Sequence, residues 1–280
     1  MTELEVMDSA DRVGSVEDQR EVLVERRGHV MLVTINRPAA RNAVNEAVCL
    51  EVGDALAEAD ADDDVRVVVL TGAGNKAFCA GADLKAIMRG ERIIPEGAER
   101  EKWGLAGFVG HYIGKPTIVA VNGPAIGGGT EIALAADLVV AADTATFGLP
   151  EVQRGLVAGA GGAFRLTKQV PLRVGMEMLL TGDPITAHRA LELHLVNQVV
   201  PADGLLDAAL ALAGKIASNA PLSVQATKRI ALGHVDGDNP AEVPLWEQTS
   251  RQMLSVSGSE DAREGPRAFA EKRAPVWKGC

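Results

Sequence analysis

The sequence predicts an α/β fold. Short apolar runs of strand length, such as Val65–Leu70 and Thr117–Val121, alternate with Ala- and Leu-rich stretches of helical spacing. Aromatic residues make up only 3% of the chain, so aliphatic side chains must build the core. At 280 residues the chain is long enough for a large core in one or two domains.

The elements follow in order. Residues 1–20 are polar, acidic and without period, which predicts a mobile extension. EVLVE and HVMLVTI predict two strands joined as a hairpin at Arg26-Arg27-Gly28. Asn45 reads as an N-cap, with Glu46 just inside a helix that runs to about Asp60. Asp60–Asp64 reads as a solvated turn, because it lacks the Gly and Glu spacing of a calcium loop. Val65–Leu70 is a buried strand, Phe78–Leu84 (FCAGADL) a small-residue turn, and 88–100 a charged loop. Glu101–Ile113 is expected to be a helix, and Lys115-Pro116 resets the chain before the Thr117–Val121 strand. Later segments are mainly helical: Gly159–Lys168, Leu172–Thr181, Ala187–Leu193, Asp203–Ser218, two segments opened by Pro221 and Pro240, and one capped by Ser259. Val196–Val200 is a short extended run among them.

Composition narrows the function. A formal charge of −10 argues against nucleic acid or an anionic membrane as main partner. No apolar run approaches a membrane span, and the N-terminus lacks the pattern of a signal peptide. Cys49, Cys79 and Cys280 show no metal-type spacing, which fits a reducing cytoplasm. Neither they nor the scattered histidines form a ligand set, so no metal is expected.

The chemistry concentrates in Val121–Gly162. There a strand ends at Asn122-Gly123-Pro124, and Gly127–Gly129 lead into an Ala-rich helix. Free N–H groups at such a helix start favour negative charge. Glu131 falls in the first turn and Glu151 follows Phe147-Gly-Leu-Pro, both among apolar and glycine residues. A glycine-rich anion site beside two desolvated carboxylates is suited to acid–base chemistry on a group that becomes an oxyanion. Two carboxylates in one such pocket do not easily both ionise.

Five segments then combine: NRPAARNAV (Asn36–Val44), GNKAFCAGADL (Gly74–Leu84), VNGPAIGGGTE (Val121–Glu131), FGLPEVQRGLVAGAGG (Phe147–Gly162) and FAEKRAPVW (Phe269–Trp277). Together they resemble the crotonase, or enoyl-CoA hydratase/isomerase, superfamily from about Glu21 to the C-terminus. The resemblance implies a spiral of stacked ββα units over 21–202 and a helical region over 203–280 that forms trimers or hexamers. It implies that the N–H groups of Ala82 and Gly128 form an oxyanion hole for a thioester enolate. It makes Glu131 the base toward water and Glu151 the proton donor to C2, with the helix start favouring ionised Glu131. Gly159 matches a glycine that leaves room for that water.

The resemblance also carries the CoA contacts. Arg41 and Ala43 match the pantetheine and phosphate lining, and Ala80, Asp83 and Leu84 match adenine and pantetheine contacts made mainly through backbone. Gly127 belongs to the same lining, and Lys272 matches a lysine near the phosphates. The implied activity is hydration of a 2-enoyl-CoA, with CoA part of the substrate and no separate cofactor. Isomerase, hydrolase, decarboxylase and non-catalytic acyl-CoA-binding roles stay open. Ala158 stands where proline is common in the hydratases and Pro124 where a bulkier residue is, which bears on the acyl pocket. Cys79 reads as a small buried residue, and the three tryptophans as packing.

Overall fold

A computed structural model describes residues 20–235 and 237–280. The expected N-terminal extension, apart from Arg20, lies outside the described residues. In chain order, β1 (Val22–Arg27) and β2 (Val30–Ile35) form the expected hairpin. Its turn is Gly28-His29, and Arg26 and Arg27 belong to β1, because the φ of +60° needed at the corner falls on Gly28. Then come α1 (Glu46–Ala61), β3 (Val67–Gly72), α2 (Leu84–Met88), α3 (Ala98–Trp103) and β4 (Thr117–Val121). Asn45 caps α1 by accepting from the Val48 N–H at 3.0 Å.

The helix expected over Glu101–Ile113 does not form. The chain leaves α3 at Gly104, where φ is +66°, and Ala106 and Gly107 also have positive φ. These turns bring Gly107 against Cys49 and Gly53 of α1 and Leu105 against Gly128, so tertiary packing overrides a weak helical pattern.

After β4 come β5 (Ala125–Ile126), α4 (Gly128–Ala135), β6 (Leu138–Ala142) and β7 (Thr146–Gly148). The remaining elements are α5 (Gly162–Gln169), α6 (Leu172–Thr181), β8 (Ile185–Thr186), α7 (Ala187–Glu192), β9 (Gln198–Val200), α8 (Leu205–Ala217), α9 (Pro221–Leu232), α10 (Val243–Ser257) and α11 (Glu260–Ala270). Several of these depart from expectation, and the strands β5, β7 and β8, only two or three residues long, are too short to show as a period in the sequence. The strand β6 is hidden in the sequence by its alanine-rich surroundings. The helix α5 starts at Gly162, not Gly159, and α10 at Val243, not Pro240.

Strands β1-β2-β3-β4-β6-β9 form one sheet in that order, antiparallel only at β1–β2. Strands β5-β7-β8 form a smaller second sheet. Alternate side chains of the large sheet feed two cores. Val33, Leu70, Val119 and Val121 face α1 and α4, while Leu32, Val67, Val69 and Ile118 face α8. Burial on both faces explains why these strands read as continuous apolar runs. Ala209 and Ala213 of α8 are fully buried there, so the packed core reaches Ala217 and not residue 202. Beyond it, α9 is tied back by Lys228, which pairs with Asp137 at 2.7 Å and donates to the Lys115 carbonyl at 2.9 Å.

One buried polar residue fastens the loops that carry the site. Asn42 is fully buried with φ +55°. Its Oδ1 accepts from Arg37 N at 3.0 Å, and its Nδ2 donates to the carbonyls of Ala73 (3.0 Å) and Ala77 (2.9 Å). Asn42→Ala would remove the partner of three main-chain groups, that of Ala77 buried and those of Arg37 and Ala73 half-buried, and place a less tolerant residue in the left-handed region. It is expected to cost about 3 kcal/mol by urea denaturation; a loss well below about 1 kcal/mol would refute this role.

Candidate active site

The site is built where two loops are clamped side by side. The loop after β3 is bridged at Cys79 to Ala125 and at Ala82 to Val44. Ile126 N donates to Cys79 O at 3.0 Å, Val44 N to Gly81 O at 2.8 Å, and Asp83 N to Val44 O at 2.8 Å. Asp83 N is thereby occupied and Gly81 N donates to Cys79 Sγ at 3.4 Å, but the N–H of Ala82 has no acceptor among the described residues. Gly128, first residue of α4, likewise has an N–H that donates to nothing described. The two loops touch backbone to backbone. A Cβ on Gly81, where φ is +85°, would lie 3.0 Å from Gly128 N. Only glycine permits that approach.

Thr130, which sequence reasoning passed over, holds α4 in place. Its hydroxyl donates to the Ala125 carbonyl at 2.7 Å and accepts from Gly148 N at 3.0 Å. This ties the helix to β5 and β7 and turns the next residue, Glu131, inward. Glu131 is 3% exposed, and its Oε1 accepts from Ala160 N at 2.7 Å and Gly162 N at 2.9 Å. Those two bonds explain why α5 begins late: residues 159–161 stay open to aim N–H groups at the carboxylate. Glu151 follows β7 in a single 3₁₀ turn, Pro150–Arg154. Its Oε1 would lie 2.9 Å from a Cβ on Gly127, and its buried Oε2 has no hydrogen-bond partner among the described residues.

Both carboxyls are pushed above the usual range. Burial raises Glu131 to about 8, with repulsion from Glu151 adding to it and the two N–H donors opposing it. Burial also raises Glu151 to about 7. The helix start therefore does not by itself keep Glu131 ionised, contrary to expectation, because desolvation outweighs it. Taken alone, that order would leave the single charge of a half-titrated pair on Glu151. Hydrogen bonding argues the other way: two main-chain donors stabilise charge on Glu131, while the unpartnered Oε2 of Glu151 suits a proton. We favour that second distribution, because the donors are fixed by the fold.

Both glutamates, Ala82 and Gly128 open on one cavity of about 670 Å³. Ala80, Leu84, Gly127 and Gly159 also line it. Arg41, Ala43, Asp83 and Lys272 do not. Asp83 caps α2 through the N–H groups of Lys85 and Ala86 and pairs with Arg37 at 3.0 Å, so its side chain has a structural task. Lys272 lies past the end of α11, exposed, with φ +54°. The space beside Gly159 is taken by Met253, into which a Cβ would run. Trp246 and Met253 of α10, Leu105, Arg154 and Phe269 complete the wall. The sequence offered no signal for them beyond their apolar or basic character, and Trp246 proves to face the cavity as well as to pack. Cys79 is fully buried with its thiol pushed up to about 12, as fits a packing residue. A slightly larger hollow of about 760 Å³ lies under α9, but its one carboxylate, Asp137, is paired with Lys228 at 2.7 Å.

Known proteins share this arrangement of sequence and fold. A family model described as Enoyl-CoA hydratase/isomerase matches residues 25–280. A carnitinyl-CoA dehydratase of Proteus mirabilis is 42% identical over 258 residues, covering 90% of this chain and 96% of its own. The crystal structure of a carnitinyl-CoA hydratase from Mycobacterium avium superposes with a TM-score of 0.91 at 60% identity, covering 94% of this chain and all (100%) of its own. That of an enoyl-CoA hydratase from Mycobacterium tuberculosis H37Rv gives 0.73 at 48% identity, with coverage of 94% and 100%.

Proposed function

Because the chain belongs to the enoyl-CoA hydratase/isomerase family, we propose that it adds water reversibly across the double bond of a 2-enoyl-CoA to give a 3-hydroxyacyl-CoA. One observation carries this reading: two raised carboxyls and two unused main-chain N–H groups open on the same cavity. In this scheme ionised Glu131 takes a proton from water as its oxygen bonds to C3. The electron pair moves to the thioester oxygen, held by Ala82 N–H and Gly128 N–H. Glu151 then gives its proton to C2 as the enolate collapses. A fixed donor of this kind is worth about 3–4 kcal/mol in the transition state. Retention of both carboxylates supports hydration over isomerisation.

The relatives named for carnitinyl-CoA favour one particular substrate. A carnitinyl thioester is itself a 3-hydroxyacyl-CoA, so the same groups run in reverse would remove its water. The cavity is the proposed acyl site, and Arg154 is the cation on its wall. Assembly as a trimer, or a dimer of trimers, through the C-terminal helices belongs to the same proposal. Leu222, Ile230 and Leu254 there are 78%, 82% and 76% exposed, which supports it. Among the described residues no helix is long and apolar enough to cross a membrane.

The test is a panel of 2-enoyl-CoA thioesters and carnitinyl-CoA, followed at the absorbance of the conjugated thioester. Hydration removes that absorbance and dehydration creates it, while hydrolysis would release a thiol. The working form needs one proton on the pair. With carboxyls near about 7 and about 8, kcat/KM is expected to peak between those values. Below the peak Glu131 is protonated and cannot act as base; above it Glu151 has no proton to give. Thiol release without loss or gain of the chromophore would overturn the hydratase reading.

A further inference from the structure

Arg165 is charged, 5% exposed, and not part of the chemistry described above. It lies in the first turn of α5, one turn from the Gly162 N–H that holds Glu131. Its Nε and Nη2 donate to the two oxygens of Glu242, at 3.1 and 2.6 Å, in a fork. Nη2 also reaches the Tyr112 hydroxyl at 3.2 Å, and that hydroxyl donates to Glu242. The remaining nitrogen, Nη1, is buried without a partner among the described residues, and a Cβ on Gly161 would lie 3.0 Å from it. The guanidinium centre lies 5.3 Å from the Trp246 ring and 5.4 Å from that of Phe164.

These contacts join two parts of the site. Glu242 is the residue before α10, and α10 carries Trp246 and Met253 onto the cavity wall. The 160–162 segment, with both donors to Glu131, packs on the other side of the guanidinium. We propose that Arg165 and Glu242 are a positioning pair, holding the segment that orients Glu131 against the helix that closes the acyl cavity. The pair is also electrostatically lopsided. The Arg165 charge lies close enough to Glu131 to favour its carboxylate, while Glu242 partly neutralises that charge. Glu131 faces two charged groups, Glu151 and Arg165. Lys168, on the same helix as Arg165, lies near Glu242 and favours its ionised form. Glu101 and Arg154 are the cavity's other charged groups.

A packing role alone would give every variant the same kind of defect. The positioning pair predicts shifts of opposite sign. Arg165→Met removes the cation and is expected to raise the titration of Glu131. Glu242→Gln leaves the cation unopposed and is expected to lower it. Arg165→Lys keeps the charge but loses the fork, so the titration stays near the wild type while kcat falls more than KM rises. The primary readout is the infrared carboxyl band that disappears in Glu131→Gln, followed against pH in the full-length protein. The acid limb of kcat/KM for the preferred acyl-CoA is the second readout, and that arm alone rests on the hydratase reading. A wild type that turns over no acyl-CoA would therefore defeat that reading and leave the infrared result standing. Shifts of the same sign in Arg165→Met and Glu242→Gln, or none, would overturn the pair. Should Arg165→Met fail to fold, Glu242→Gln without a downward shift overturns it by itself.

Discussion

Glu131→Gln is expected to lower kcat for acyl-CoA hydration by at least about 10²-fold, the lower end for a positioned acid or base. Glutamine is close in shape and retains an oxygen to accept from the Ala160 and Gly162 N–H groups, so the loop that aims them should stay in place. What is lost is the basic charge. Glu151→Gln should cost a similar factor by removing the proposed proton donor. Stability should move the other way. The pair that Glu131 forms with Glu151 has folded carboxyls raised to about 7 and about 8, so the native state keeps protons that the unfolded chain releases near the ordinary carboxylate value. The pair's contribution is present at low pH and is lost as pH rises through those values, where buried charge must be carried. The glutamine variant should therefore melt at a higher temperature than the wild type at pH 9, with little difference at pH 5. Hydration surviving both substitutions would remove the two carboxyls from the mechanism.

The second large effect is expected at a residue with no side chain. Gly81→Ala places a Cβ 3.0 Å from Gly128 N and 3.2 Å from the Ile126 carbonyl, at φ +85°. Both neighbours are backbone and cannot swing aside, so the loops must part. The strain should cost roughly 1–3 kcal/mol of stability. Displacing one of the two proposed oxyanion donors should lower kcat by about 10²-fold or more. Circular dichroism melts and acyl-CoA turnover on the same preparation separate the two losses. A folded variant with wild-type kcat would show that the spacing of the Ala82 and Gly128 N–H groups does not govern turnover.

The elements most legible in the sequence were those with strong local signals. Asn45 and Ser259 cap helices where their side chains predict, and Pro221 opens α9 at its first position. Thr117–Val121 is a strand to the residue. The helix expected over Glu101–Ile113 failed because glycines at 104 and 107, both at positive φ, let the chain fold down onto α1, a gain invisible to a local pattern. The strand β6 was missed because Leu138–Ala142 follows an alanine-rich helix without a strong break.

The site divides in the same way. Glu131, Glu151 and the glycine triplet stood out because a lone carboxylate in an apolar, glycine-rich setting is chemically conspicuous. Ala82 entered only by resemblance, since an N–H group leaves no mark on residue identity. The sequence by itself determined the α/β class, the family and the two carboxyls. Tertiary structure alone decided which N–H groups stay unused and how far burial raises the two acids. It also brought Met253 and Trp246 to the cavity and joined Arg165 to a glutamate 77 positions away. The physical reason is that desolvation and main-chain approach depend on what packs around a group, and its packing partners come from distant parts of the chain.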